Sequence, residues 1–202
     1  MRVRRARPDV PVVGLDLSLT RPAAVRIPAH WSPGDWGSLE WWAGDDVPRV
    51  AGHEDDAGRC RRMIWISDRV LDFVVNRSPR TDAVFAEEYA FSQGGPTARK
   101  LAENGGVVRV ELFRYGRVMR TVVAASARKF LLGKCPQRDP KVYVQAALWG
   151  AGAPLAEKLV RKYRGGWEPR TAGAHWGEDE CDAFCVANWG RAEIGLTGLT
   201  LA

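Results

Sequence analysis

The chain has 202 residues, of which 46% are hydrophobic and 27% charged, as in an ordinary globular protein of one domain. No apolar run approaches the roughly 20 residues that cross a membrane, and the basic start of the chain lacks the apolar stretch of a secretory signal. A formal net charge of +6 favours polyanionic partners such as nucleic acid. We therefore expect a cytoplasmic protein with a basic arm at residues 1–10 and one domain at residues 11–195.

Three strands are predicted at the start of this domain. Residues 11–17 and 23–27 are apolar runs joined by a short turn, and residues 38–42 follow a loop rich in Trp, Pro and Gly. Such consecutive strands form a three-strand meander. A helix over residues 58–77 comes next, because its apolar side chains recur at helical spacing.

Strands and helices alternate in the rest of the domain. The predicted elements are, in order, a strand at 82–87, a helix at 97–113, a strand at 117–123, helices at 126–132 and 141–149, and a last helix from Asp179 to about Gly195. This order describes an α/β fold with a mixed five-stranded sheet, a meander followed by parallel strands, and helices on both faces. The fourth strand then lies beside the first and parallel to it.

Four carboxylates lie at the ends of these elements. Asp16 is near the end of the first strand, Glu87 ends the fourth, and Asp179 and Asp182 share one face of the last helix. Charged groups at the ends of buried elements are costly unless something pairs with them, and a shared divalent cation would do so. Two Mg²⁺ ions held about 4 Å apart by oxygen ligands would suit phosphodiester hydrolysis. We therefore predict a two-metal nuclease site, with Mn²⁺ able to replace Mg²⁺.

Two of these four assignments have alternatives. Asp179 suits the N-cap position of a helix, which would explain it without a metal. Glu88 competes with Glu87, because successive side chains on a strand point to opposite faces and only one of them can enter the cluster. The alternation of apolar residues in this run is too weak to choose between them.

The cysteines offer a second, weaker metal hypothesis. Cys181 and Cys185 lie four residues apart in the last helix, and with His175 they would supply three zinc ligands. Buried free thiols in a reducing compartment are the better interpretation of this pair.

At the acidic residues the chain resembles the RuvC-type Holliday junction resolvases of the RNase H-like, retroviral integrase superfamily. Residues 14–20 are similar to the family's first-strand Gly-Ile-Asp-Pro-Gly segment, and residues 86–89 to its Ile-Glu-Gln-Val segment. Residues 179–187 are similar to its closing Asp-Ala-Ala-Asp-Ala-Leu-Ala helix. The resemblance covers most of residues 11–190. It is nearest to divergent phage-encoded members, since Leu-Ser replaces the family's Pro-Gly after the first Asp.

The resemblance implies a bacterial or phage-encoded, Mg²⁺-dependent endonuclease that acts as a homodimer and makes paired nicks in branched DNA. It selects Glu87 over Glu88 as the catalytic residue and implies that Lys141 approaches the scissile phosphate. Tyr89 and Phe91 are candidates for an aromatic wedge that enters the junction.

Further contacts are expected to bind DNA and a second subunit. A basic cluster is the candidate phosphate-binding surface, and its members are Arg128, Lys129, Lys134, Arg138 and Lys141. The helix at 97–113 is the dimer element by resemblance. Its apolar residues Val107, Val110, Leu112 and Phe113 supply surface either for that dimer or for the core of the monomer.

Other functions remain possible for the same pattern. An RNase H or a flap nuclease of this superfamily would use the same four carboxylates. A sugar kinase or ATPase of the actin type also begins with Gly-x-Asp-x-x-x-Thr, as residues 14–20 do, but it needs a second such domain and a second Gly-rich loop. A non-catalytic protein that binds branched DNA is less favoured, because all four carboxylates are present.

Overall fold

The structure is a computed structural model that describes residues 10–45, 47–48, 55–77, 82–88, 96–134, 140–155 and 176–201. Its elements in chain order are β1 (Val12–Asp16), β2 (Ala23–Ile27), β3 (Glu40–Ala43), α1 (Asp56–Leu71), β4 (Ala83–Glu88), α2 (Pro96–Arg114), β5 (Met119–Val123), α3 (Ala124–Leu132), α4 (Pro140–Gly150) and α5 (Glu178–Glu193). Most of the predicted basic arm lies outside the described residues. No helix among the described residues is both long enough and apolar enough to span a membrane.

The five strands form one mixed sheet in the order β3-β2-β1-β4-β5. β2 pairs antiparallel with both β1 and β3, whereas β4 pairs parallel with both β1 and β5. The predicted meander followed by parallel strands is therefore confirmed. In the β1–β4 register Leu15 lies opposite Ala86, so that the next residues, Asp16 and Glu87, lie at the same edge of the sheet.

Helices cover both faces of the sheet, as predicted. On one face, α3, α4 and α5 pack on a core that includes Val12 and Phe85. On the other face, α1 and α2 pack on a core that includes Val13, Leu15 and Ala86. Because β1 is buried on both faces, its sequence is an almost continuous apolar run rather than an alternating one.

The close approach of α5 to β1 fixes how the helix sits on the sheet. A Cβ atom on Gly14 would lie 2.1 Å from the carbonyl oxygen of Ala183 and 2.4 Å from the backbone nitrogen of Ala187. One turn further on, a Cβ on Gly190 would lie 2.4 Å from the ring of Phe85. The glycine of the Gly-x-Asp segment is thus explained by helix packing.

Several elements differ in their limits from the sequence prediction. The predicted helix 58–77 is α-helical only to Leu71 and continues as a π-helical turn, Asp72–Asn76. α2 passes through Gly105 and Gly106 without a break, because Val108 and Leu112 hold the helix in the core. α3 begins directly after β5 at Ala124 rather than at residue 126.

The Trp-rich loop after β2 is part of the core that surrounds α5. The rings of Trp31, Trp36 and Trp176 pack around Phe184, with centroids 5.4 to 5.9 Å from the Phe184 ring. The indole nitrogen of Trp36 also donates to the carbonyl oxygen of Ala151 at 2.8 Å. These aromatic contacts stabilise the face of the sheet on which α5 lies.

Candidate metal-binding site

Three of the predicted carboxylates converge at one edge of the sheet. Asp16, Glu87 and Asp182 each offer an oxygen atom that lies within 4.8 Å of those of the other two. The parallel pairing of β1 and β4 places the first two side by side, and the first turns of α5 bring Asp182 over them. Asp16 is only 6% exposed and Asp182 only 3% exposed. Oxygen ligands alone, close together and shielded from water, fit a hard divalent cation such as Mg²⁺.

The strand register decides between the two glutamates at the end of β4. Phe85 packs on the face that carries α5, and side chains two residues apart share a face. Glu87 therefore points toward the cluster with Phe85, while Glu88 is exposed and lies outside it. The resemblance to the RuvC-type resolvases also selects Glu87.

Asp179, the fourth predicted carboxylate, lies at the margin of this group. Its carboxylate accepts a hydrogen bond from the Arg21 guanidinium at 3.2 Å. Asp179 is not within the group of three described carboxylates that lie within 4.8 Å of one another. Its negative charge nevertheless contributes to raising the pKa of Asp16.

The start of α5 is held by Arg21 and Glu180. The N-cap residue is Gly177, so the competing interpretation of Asp179 as the N-cap is wrong. Glu180, which is fully buried, accepts from the backbone nitrogen of Gly177 at 2.9 Å and from Arg21 at 2.6 and 2.8 Å. Arg21 lies in the turn between β1 and β2, so this ion pair ties that turn to the helix that carries Asp182.

Two basic side chains contact the cluster directly. Arg128 of α3 lies 3.0 Å from one oxygen of Asp182 and 4.0 Å from Glu87. Lys141, at the start of α4, places its Nζ 2.7 Å from the other oxygen of Asp182. Arg128 was predicted to lie on the surface that binds phosphate, but its side chain is only 13% exposed and is held among the carboxylates.

The other predicted site residues are more scattered. Lys129 and Lys134 are exposed on and just after α3, where they are available to a ligand. Tyr89, Phe91 and Arg138 lie outside the described residues.

The described cysteines give no support to a zinc site. Cys181 and Cys185 are buried in α5, and burial raises the pKa of both thiols above the ordinary value. The group of three potential metal ligands found among the described residues contains neither cysteine. His175, the third residue of that hypothesis, lies outside the described residues.

The carboxylates oppose one another electrostatically. Burial raises the pKa of Asp16 well above its ordinary value, and the charges of Glu87 and Asp182 raise it further, while Lys141 acts in the opposite direction. Burial, followed by the charge of Asp182, also raises the pKa of Glu87, against the effects of Arg128 and Lys141. The cluster therefore holds more negative charge than the nearby side chains compensate, which is the condition that a bound cation relieves.

Replacing Asp16 with Asn is expected to stabilise the metal-free protein at neutral pH, because it removes a carboxyl group whose ionised form is destabilised by burial and by the neighbouring carboxylates. The raised pKa means that the folded protein binds more protons than the unfolded chain between the ordinary Asp pKa of about 3.9 and the raised value. The destabilising contribution of the carboxyl group is thus complete above the raised pKa and declines as the pH falls from the raised pKa toward about 3.9.

Urea unfolding in EDTA at neutral and mildly acidic pH measures this effect. The gain in the free energy of unfolding from Asp16→Asn should shrink on acidification. Asp68→Asn, at an exposed carboxylate of α1, is the control and should change little at either pH. A gain of the same size at both pH values would contradict the expected titration of Asp16.

A cavity of about 190 Å³ opens beside Glu87, between the end of β4, the first half of β5 and the middle of α2. Its lining includes Gly105, Gly106, Arg109 and Thr121. The cavity lies on the α2 side of the sheet, and the carboxylates in its lining are Glu87 and Glu88.

Arg21 is the contact residue that sequence analysis missed. Nothing in the turn after β1 distinguishes it from a solvated arginine. Its partners Asp179 and Glu180 lie 158 and 159 residues further along the chain, so only the tertiary structure could identify the contact.

The sheet order defines an RNase H-like α/β fold. Its carboxylates lie at the adjoining ends of β1 and β4 and on the helix that packs over these strands. Within that class the chain is similar to Thermus thermophilus RuvC, with 20% sequence identity, a TM-score of 0.53, and coverage of 94% of this chain and 99% of that one. It is also similar to T. thermophilus RuvC in complex with a Holliday junction substrate, at 18% identity, a TM-score of 0.53, and coverage of 92% and 96%. The chain thus has a RuvC-like fold, as the resemblance implied. No protein-family model and no curated protein matches the sequence.

Proposed function

We propose that this protein is a divalent-metal-dependent endonuclease that cuts branched DNA, with the four-way Holliday junction as its substrate class. The observation that carries the proposal is the convergence of Asp16, Glu87 and Asp182 at one edge of the sheet. A RuvC structure with the same fold was solved with a Holliday junction. The net charge of +6, beside an acidic cluster, suits a protein that binds phosphates around a metal site.

The proposed chemistry is hydrolysis of a phosphodiester. Asp16, Glu87 and Asp182, with Asp179 beside them, would hold two Mg²⁺ ions, and Mn²⁺ would substitute for them. When bound, the metal supplies Lewis-acid activation of water and stabilises the leaving oxygen. Lys141 lies at the open side of the cluster with its side chain 45% exposed, where it can donate to a phosphate oxygen of the substrate.

Exposed basic side chains around the cluster are proposed to bind the DNA backbone. Lys129 and Lys134 lie on and just after α3, the helix whose Arg128 contacts the cluster. Arg138 follows in the sequence, and Tyr89 and Phe91 remain the proposed wedge residues. Because such contacts release counterions, binding to a junction should weaken steeply as the salt concentration rises.

A homodimer is proposed because α2 carries apolar side chains on two faces. Val108 and Leu112 are fully buried in the monomer, whereas Val110 is 53% exposed and Phe113 is 70% exposed. The exposed apolar surface continues beyond the helix at Val118, which is 67% exposed. A two-fold interface there would give two identical sites, as paired nicks in opposed strands require.

Phe113→Glu is expected to convert the dimer to a monomer, because it places a charge in an interface that is dry in the dimer. Light scattering on a size-exclusion column measures the change in mass. Tyr143→Glu is the control, since Tyr143 of α4 is 47% exposed but lies on another helix. A wild-type protein that is monomeric at micromolar concentration, or a dimer that survives Phe113→Glu, would contradict this interface.

A cleavage assay with four substrates tests the function itself. The proposal expects Mg²⁺-dependent, symmetrically paired nicks in an immobile four-way junction and much weaker cutting of a flap, an RNA–DNA hybrid and a linear duplex. Preferred cutting of the hybrid or the flap would replace the junction assignment with an RNase H or a flap nuclease. Tight junction binding without any cutting would leave a non-catalytic DNA-binding protein.

A further inference from the structure

Both carboxylate oxygens of Asp182 face a cationic side chain. The Nε and one terminal nitrogen of Arg128 each lie 3.0 Å from Oδ1, and the Nζ of Lys141 lies 2.7 Å from Oδ2. The same Arg128 nitrogen is 4.0 Å from Glu87. The Arg128 guanidinium therefore bridges two of the three carboxylates that form the proposed metal site.

Binding of a divalent cation to Oδ1 of Asp182 competes with the guanidinium of Arg128, and binding to Oδ2 competes with the ammonium group of Lys141. Mg²⁺ binds its oxygen ligands at about 2.0–2.1 Å, and it would need the Oδ1 lone pairs that Arg128 uses. The carboxylate of Asp182 is only 4% exposed, which leaves it few other directions of approach. An arginine stays protonated at every physiological pH, so its departure requires movement of the whole cation.

The stretch of α3 that carries Arg128 is anchored by buried neighbours, so we expect its displacement to involve the side chain. Its neighbours in α3, Ala127, Leu131 and Leu132, are buried in the core. Lys129, the next residue, is exposed, which makes it a matched cation on the same helix.

We propose that Arg128 is a positioning residue that occupies a metal position of the site in the metal-free protein and is displaced when the metal binds. The inference rests on the proposed function, because it requires the carboxylates to be metal ligands. Before the metal enters, the guanidinium holds Asp182 near Glu87 and offsets their repulsion. Metal affinity is then lower than the carboxylates alone would give, since binding must break these ion pairs.

Calorimetric titration with Mn²⁺ in the absence of DNA tests the proposal. The proteins compared are wild type, Arg128→Met, which keeps the apolar stem but loses the guanidinium, and the matched control Lys129→Met. Arg128→Met should bind Mn²⁺ about tenfold more tightly than the other two, as expected when about 1.4 kcal/mol of competing interaction is removed. Its melting temperature should fall in EDTA and recover when Mn²⁺ is added.

Three outcomes overturn the proposal. Equal Mn²⁺ affinity in wild type and Arg128→Met would show that the guanidinium does not occupy a metal position. Equal tightening in Arg128→Met and Lys129→Met would assign the effect to net charge, and weaker binding in Arg128→Met would leave Arg128 a purely structural role. In each case the metal site itself stands. Failure of Mn²⁺ to bind the wild type, or unchanged binding in Asp182→Asn, would instead remove the metal site, and the proposed function with it.

Discussion

Asp16→Asn and Glu87→Gln are each expected to abolish Mg²⁺-dependent cleavage of a four-way junction, with a loss on the order of 10³-fold or more, as when one member of a catalytic unit is removed. Both substitutions remove a carboxylate from the group of three that lie within 4.8 Å of one another. Junction affinity should remain near that of the wild type, because exposed basic side chains supply it. Single-turnover cleavage and gel shifts in EDTA measure the two quantities separately.

Glu88→Gln is the matched control, because it makes the same chemical change one residue further along β4. Glu88 is exposed, whereas Glu87 lies in the cluster, so the control should keep most of the activity. If Glu88→Gln loses cleavage and Glu87→Gln keeps it, the register at the end of β4 is wrong by one residue. Full activity in Asp16→Asn would be incompatible with any role of this cluster in catalysis.

Gly14→Ala is expected to lower the free energy of unfolding by about 3 kcal/mol or more, near the upper end of the costs of overpacking. The added Cβ would lie 2.1 Å and 2.4 Å from backbone atoms of Ala183 and Ala187, so α5 itself must move. Since α5 carries Asp182, the same substitution should reduce cleavage even at temperatures where the variant is folded.

Gly106→Ala makes the same chemical change at a helical site and should have the opposite sign. A Cβ on Gly106 meets nothing within 4 Å, and alanine in a helix is more stable than glycine by about 0.5–1 kcal/mol. Urea denaturation of both variants measures the pair. A Gly14→Ala protein as stable as the wild type would show that α5 does not pack on β1 at this distance.

The order and type of the elements, and with them the fold class, could be predicted from local sequence patterns. These patterns are local: they include the apolar run of β1, the helical spacing of apolar residues in α1 and the short connections. Each depends mainly on residues that are close together in the sequence. Asp16, Glu87 and Asp182 could also be predicted as site residues, because each lies where a predicted element ends or begins. Their convergence then followed from placing β1 beside β4.

Tertiary structure alone decided the electrostatic partners of these carboxylates. Arg128 and Asp182 are 54 residues apart, and Arg21 and Glu180 are 159 apart, so no local pattern relates them. Arginine side chains are mostly exposed to solvent in folded proteins. Arg128 is removed from solvent and placed among the carboxylates only because α3 and α5 pack on the same face of the sheet. Ion pairs of this kind depend on distances set by the whole fold, whereas strands and helices depend on residues close in the chain.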